Sequence, residues 1–515
     1  MKKVPSLRLL IIGLALVKFI LPFLLQSPVY EPHRDEFLYL AEGSHLAWGY
    51  MEVPPLLSVF AWLVHCFGGG FFWIKFWPSL FGALTFIIVA KTIRSLGGKA
   101  LAVVLGFLPF VTGSYLRVQF LFQPNFLEIF FWTMLAWSMI SFVQTKENKW
   151  LYVFGISAGL GMLSKYSVSF YIASILIGLL LTRQRSVFMN RHLYLGGLLG
   201  ALIFLPNLAW QYMHHFPVVF HMKELKNTQL QYVSPASFLI DQLLLNLPCA
   251  FVWIAGLCWT SFSKKAKQYR FMGWTYLAII VLLLVGHGKN YYALGAYPIL
   301  FAFGAYQLEQ FTAIRFRFLR WVFVLLAVAL GYLFLPIGLP IKAPVRLAAL
   351  FEKRHLEKTG VLKWEDLKNH PLPQDYADML GWEEMAKKTA AAYHSLDSTE
   401  KKHTLLFCDN YGQAGAINYY RDKYNLPPAH SDNASFLYWM PAKPDFDNYV
   451  LVTNDTHEME HAFIKNFTSA VLFDSITNVY ARERGSLIIV LKGADSSFKK
   501  FFTEKIEQDK AKIKG

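Results

Sequence analysis

The sequence predicts a mainly α, polytopic membrane protein of about 11 transmembrane helices, followed by a C-terminal soluble α/β domain. Three observations point there. Of 515 residues, 55% are hydrophobic and only 16% charged, whereas a soluble chain carries about a quarter charged residues. Up to about residue 340, apolar runs of membrane-crossing length alternate with short charged islands. Beyond it the composition is ordinary and water-soluble, which divides the chain into 1–340 and 341–515.

A helix needs about 20 apolar residues to cross the hydrocarbon core. The candidate runs are 7–26, 71–90, 100–116, 125–143, 151–164, 167–182, 193–213, 236–260, 271–287, 292–309 and 321–340. The first follows Lys2 and Lys3 but lacks a small-residue cleavage site, so it reads as an uncleaved span and not a signal peptide. Lys165 and Tyr166 separate 151–164 from 167–182, which reads either as one broken helix or as two short ones meeting at an outside turn.

Counted as two, they put four basic islands on one side together with Lys2 and Lys3. The islands are Lys91, Arg94 and Lys99; Arg183, Arg185 and Arg191; Lys264, Lys265, Lys267 and Arg270; and Arg315, Arg317 and Arg320. By the positive-inside rule that side is the cytoplasm. The N-terminus is then cytoplasmic and the tail periplasmic, in a cell inner (cytoplasmic) membrane. The same clustering explains the net charge of +16 and argues against nucleic-acid binding. Four cysteines (Cys66, Cys249, Cys258 and Cys408) form no CxxC and imply neither a disulfide framework nor a zinc site.

On the outside, the loop 27–70 is much longer than a connection needs. Two stretches in it, Asp35 to Ala47 and Pro55 to Cys66, read as helices lying along the membrane surface. In the tail, TLLFC (404–408), YVLVT (449–453), SAVLF (469–473) and SLIIVL (486–491) read as short strands. Tyr411 to Tyr424, with Gly412 and Gly415 at its start, reads as the helix of a βαβ unit. Its glycines do not form GxGxxG, so a dinucleotide site has no support. The tail is expected to shape or cover the outside face.

Chemistry is expected at HRDEFLYL (33–40). Asp35 and Glu36 are adjacent carboxylates just after a hydrophobic span, and on a helix Asp35, Tyr39 and Glu42 share a face. A carboxylate there can take a proton from an acceptor hydroxyl or amine; the bland alternative is an acidic first turn favoured by the helix dipole. Glu128, in QPNFLEIFFW (123–132), lies inside an otherwise apolar span, where an ionisable residue is costly and signals function unless it pairs at the interface with Arg117. In HGKNYYALGAYP (287–298), Lys289 with Tyr291 and Tyr292 suits the phosphate of a lipid-linked substrate, or equally an aromatic belt with a snorkelling lysine. Lys165 and Arg117 are further candidates for phosphate binding. His214, His215 and His221 fit no established zinc pattern. Clustered carboxylates leave a divalent metal ion open as a cofactor.

With HRDEFLYL followed by GYMEVPPL (49–56), the sequence resembles the GT-C type membrane glycosyltransferases. It is most similar to bacterial relatives of the dolichyl-phosphate-mannose–protein mannosyltransferases and of the lipid A aminoarabinose transferases. The resemblance covers most of 1–310, and PQDYADMLGWEEMA (373–386) and YGQAGAINYY (411–420) resemble the soluble domain of the same group. It implies transfer from a polyprenyl-phosphate sugar, of undecaprenyl type, to a lipid, glycan or protein acceptor on the outer face. Asp35 then matches the catalytic base, Glu36 its partner, Glu128 a second acid and Lys289 a donor-phosphate contact. The aminoarabinose transferases carry a lysine before PPL where this chain has Val53, which weakens the case for that donor. Two rival classes are a lipid or sugar transporter, with Glu128, Lys165 and Lys289 lining a path, and a non-catalytic scaffold presenting the tail. The spans show no evident internal repeat of the kind transporters carry.

Overall fold

A computed structural model describes residues 6–228, 230–441 and 445–513; Lys2 and Lys3 lie outside them. Six helices are long and apolar enough to cross a membrane, or up to eight if each of two bent pairs is one span. Every run expected to span is helical, but several are shorter or broken. Residues 236–260 divide at Leu245–Asn246 into Pro235–Leu244 and Leu247–Phe262, bent by 61°. Pro248 explains the break, since it has no N–H for the helix ladder. The segment 151–182 forms two helices, with Lys165 in the turn between them.

The helices that build the site are α1 (Leu7–Leu25), α2 (Arg34–Ser44), α3 (Leu56–Cys66), α4 (Phe71–Ser95), α5 (Pro124–Thr145), α6 (Lys149–Met162), α7 (Val168–Leu180) and α8 (Arg191–Met213). Helix α5 is the most enclosed of the long apolar helices, with 83% of its apolar window buried. Glycines set a close crossing between α6 and α8: a Cβ on Gly155 would lie 1.9 Å from the Gly196 carbonyl oxygen. Only a glycine fits there.

The tail contains α9 (Trp382–His394), β1 (Thr404–Cys408), α10 (Tyr411–Tyr424), β2 (Ala429–His430), β3 (Asn448–Thr453), β4 (Phe467–Ser475), β5 (Leu487–Ala494) and α11 (Ser496–Ile513). Its sheet runs β2-β1-β3-β5-β4, parallel across the first three strands and antiparallel thereafter. All four expected strands appear. The two-residue β2 was not anticipated, being too short to carry any periodicity.

Helix α2 has a different environment from the surface position expected of it. Phe37 and Leu38 join the core of the tail, packing with Trp382, Ala414 and Ile417, while Leu40 joins a cluster with Leu57, Ile74 and Phe126 of the helical bundle. The segment 27–70 packs between the helical bundle and the tail.

Candidate active site

Asp35 and Glu36 are neighbours in sequence with opposite fates. Helix α2 begins at His33, which caps it in a reciprocal arrangement with Glu36. This turns Glu36 inward, where it is fully buried. Its two oxygens receive Lys75 Nζ of α4 at 2.5 and 2.7 Å, the His33 N–H at 2.7 Å and the Phe122 N–H at 2.5 Å. With its acceptor capacity filled and its surface covered, Glu36 ties the loop, α4 and the segment before α5 together.

Asp35 stays in reach of solvent, with 34% of its side chain exposed. Tyr411, at the start of α10, donates to its Oδ1 at 2.8 Å, and the Gln123 amide donates to Oδ2 at 3.2 Å. The Asp35 N–H donates to His33 Nδ1 at 3.1 Å, and the other ring nitrogen of His33 lies 3.7 Å from Asp378.

From Gln123 a polar chain runs to Glu128. The Asn125 amide donates to Gln123 Oε1 at 3.4 Å, Lys165 Nζ donates to Asn125 Oδ1 at 2.7 Å, and the same ammonium donates to Glu128 Oε2 at 2.8 Å. Ser167 donates to the other Glu128 oxygen. The Lys165 cation also sits 4.5 Å from the Tyr292 ring centroid and 5.8 Å from that of Tyr291. Pro124 starts α5, and this places Gln123 and Asn125 on either side of the helix start, facing α2 and Lys165.

Lys289 stands close to Asp35, Asp375 and Lys165 in electrostatic terms, and burial holds its ammonium below the usual lysine range. Among the described residues it has no ion-pair or hydrogen-bond partner. Arg117 is engaged, its guanidinium 2.8 Å from Asp375. Burial alone would raise the Asp375 carboxyl, but Arg117, His33, Lys289 and Arg482 together hold it below its ordinary value. Asp378 goes the other way: burial pushes it up to about 6 despite His33 and Arg482.

The structure therefore gathers Asp35, Glu128, Lys165, Lys289, Tyr291, Tyr292 and Arg117 into one connected group and buries Glu36 away from it. Sequence reading missed Gln123, Asn125, Ser167, Asp375, Asp378, Tyr411 and Arg482. A signal existed for three of them, since 373–386 and 411–420 were the tail segments carrying the family resemblance. His214 stacks on Trp210 with centroids 4.0 Å apart, and His221 sits beside Lys289. Among the described residues the His, Asp and Glu groups that converge closely enough for an ion are Asp455, Glu458 and His461, in the tail. At Asp35 both oxygens accept hydrogen bonds and the Lys289 ammonium stands nearby, a donor set that suits an anion better than a divalent metal.

Comparison with known proteins bears on this geometry. A sequence profile of dolichyl-phosphate-mannose-protein mannosyltransferases matches residues 52–210. ArnT from Cupriavidus metallidurans, solved with bound undecaprenyl phosphate, superposes with a TM-score of 0.62 over 94% of this chain and 97% of its own, at 13% identity. Its apo form gives 0.60 at 14% identity, with the same coverage. The fold is that of ArnT. Lipid A galacturonosyltransferase RgtD of Rhizobium johnstonii is 22% identical over 196 residues, 37% of this chain. The chain spans about two-fifths of that relative's length.

Proposed function

We propose that this GT-C protein is an inverting glycosyltransferase that moves a sugar from a polyprenyl-phosphate donor to an acceptor hydroxyl or amine at the outer face of the cytoplasmic membrane. The observation that carries this reading is the polar chain from Asp35 through Gln123, Asn125 and Lys165 to Glu128, with Lys289 beside it and free to bind an anion. It puts a part-exposed carboxylate and a set of cations in one connected group, as displacement of a phosphate by a protic nucleophile requires.

A polyprenyl tail partitions into the bilayer and leaves its phosphate at the interface. The acceptor oxygen or nitrogen attacks the anomeric carbon, a new glycosidic bond forms, and the bond to the phosphate oxygen breaks with its electron pair. Asp35 takes the acceptor proton. Lys289 and Lys165 stabilise the charge on the departing polyprenyl phosphate. Glu128 holds Lys165 in place through a contact that is only 4% exposed on the acid side. Glu36 acts on this reading as an anchor. The donor is of undecaprenyl type, in keeping with the lipid bound to ArnT. The gathering of charges around Asp35 and Glu128 supports transfer over transport.

Binding of undecaprenyl phosphate to the purified protein tests the anion site without needing the sugar. Lys289→Ala is expected to weaken binding at least tenfold, while Asp35→Asn leaves it within about twofold. Equal binding by Lys289→Ala and wild type would remove Lys289 from the donor site.

A further inference from the structure

We infer that Tyr411, delivered from the tail, is a positioning residue of the transfer reaction: it fixes the orientation of Asp35 and makes the tail part of the active site. The inference rests on the glycosyltransferase reading above and deepens it. Asp35 has one donor on each oxygen, Tyr411 from α10 and Gln123 from the start of α5. Two donors from separate elements define the carboxylate plane and leave one lone pair on each oxygen unused by them. Losing one frees the carboxylate to rotate.

Tyr411 is itself held. The Arg34 guanidinium carbon lies 4.4 Å from the ring centroid, a contact that withdraws charge from the ring and strengthens the phenol as a donor. Burial and the nearby Asp35 keep its hydroxyl well above the usual tyrosine range, so it remains protonated and donating. The other charged or titratable groups near Asp35 are His33, Tyr39, Lys289, Tyr291 and Asp378.

The backbone is docked with matching care. A Cβ on Gly412 would lie 2.6 Å from Arg34 Cγ, and one on Gly415 would lie 2.8 Å from Phe37 Cβ. The two glycines that looked like the start of a nucleotide loop instead let α10 lie against α2. Glu31, just before α2, receives the N–H groups of Trp382 and Glu383 at 3.0 and 2.6 Å and the Tyr420 hydroxyl at 3.1 Å. The Arg34 N–H donates to the Asp378 carbonyl at 2.9 Å. A domain that only covers the outer face has no need of such contacts around one carboxylate.

The test is steady-state transfer from a radiolabelled undecaprenyl-phosphate sugar into membrane lipid, by full-length protein in proteoliposomes. Tyr411→Phe keeps the ring over Arg34 and loses the hydroxyl. Its kcat is expected to fall about tenfold, the scale of a hydrogen bond to a charged group, with donor KM and melting temperature unchanged. Arg34→Gln serves as the second variant, expected to lower kcat about threefold through the weaker phenol donor. Wild-type kcat in Tyr411→Phe overturns the inference, as does a loss confined to KM or one matched by a fall in melting temperature. Should Tyr411→Phe not fold, wild-type kcat in Arg34→Gln overturns it. Absence of transfer by the wild-type protein would count against the glycosyltransferase reading itself.

Discussion

Lys165 Nζ lies 2.8 Å from Glu128 Oε2 and 2.7 Å from the Asn125 side-chain oxygen, so one ammonium joins the acid on the central helix to the chain that ends at Asp35. Glu128 is nearly sealed from solvent while Lys165 is about a fifth exposed. Removing the cation strands a buried carboxylate, which costs about 3 kcal/mol or more. Lys165→Ala is therefore expected to lower the melting temperature and to cut transfer at least tenfold. Glu128→Gln keeps the shape and one acceptor, and should be the milder change in stability. Thermal unfolding in detergent beside the transfer assay checks both; the reverse order would contradict the pairing.

Glu36 makes a different prediction because it is fully buried. With Lys75 and two backbone N–H groups on it, Glu36→Ala leaves a buried ammonium and two buried donors without partners. A loss of about 3–5 kcal/mol is expected, seen as poor yield of folded protein. Lys75→Met should do comparable harm by leaving the carboxylate uncompensated. A stable, well-folded Glu36→Ala protein lacking only activity would restore Glu36 to a chemical role.

Much of this was legible in the sequence, for physical reasons. Apolar runs and basic islands report the solvent of each segment, so the six described helices long and apolar enough to cross a membrane were visible within the eleven runs counted, and strands such as Thr404–Cys408 showed as short β-branched and aromatic runs. Asp35 and Glu128 stood out because charge beside lipid is expensive. What sequence could not separate was Asp35 from Glu36, because their roles differ only in which side of α2 each faces. Lys75, a single charge within the run 71–90, carries no local sign that Glu36 lies against it. Tyr411 and Asp375 lie more than 300 positions from Asp35, and nothing local in either segment announces that contact. Helix breaks such as the one at Pro248 were also underestimated, since an apolar run gives length but not continuity.

The two close glycines of α10 should behave unequally. A Cβ at Gly415 meets the Phe37 backbone at 3.0 Å, which cannot give way, whereas at Gly412 the obstacle is the flexible Arg34 side chain. Gly415→Ala is expected to loosen the tail from α2 and lower transfer at least tenfold, with Gly412→Ala losing less. Limited proteolysis of the tail measures the loosening.

Asp378 predicts a pH dependence. Its folded pKa of about 6 stands above the ordinary 3.8 because burial disfavours the charge. A raised folded pKa means that the group's contribution to stability is complete below about pH 4 and is lost as pH rises through 6. The loss is on the order of 3 kcal/mol. Asp378→Asn should flatten the melting temperature against pH between 4 and 7 relative to wild type, and an unchanged slope would show that another group sets it.

The most direct measurement is transfer of radiolabel from an undecaprenyl-phosphate sugar by wild type and Asp35→Asn, at matched protein levels in the same membranes. Asparagine keeps the size of the side chain and the Tyr411 contact but cannot accept the acceptor's proton. Transfer by the wild type, lost at least a hundredfold in Asp35→Asn with undecaprenyl phosphate binding intact, is the predicted result. Transfer by the variant at the wild-type rate would contradict the assignment of Asp35 as the base.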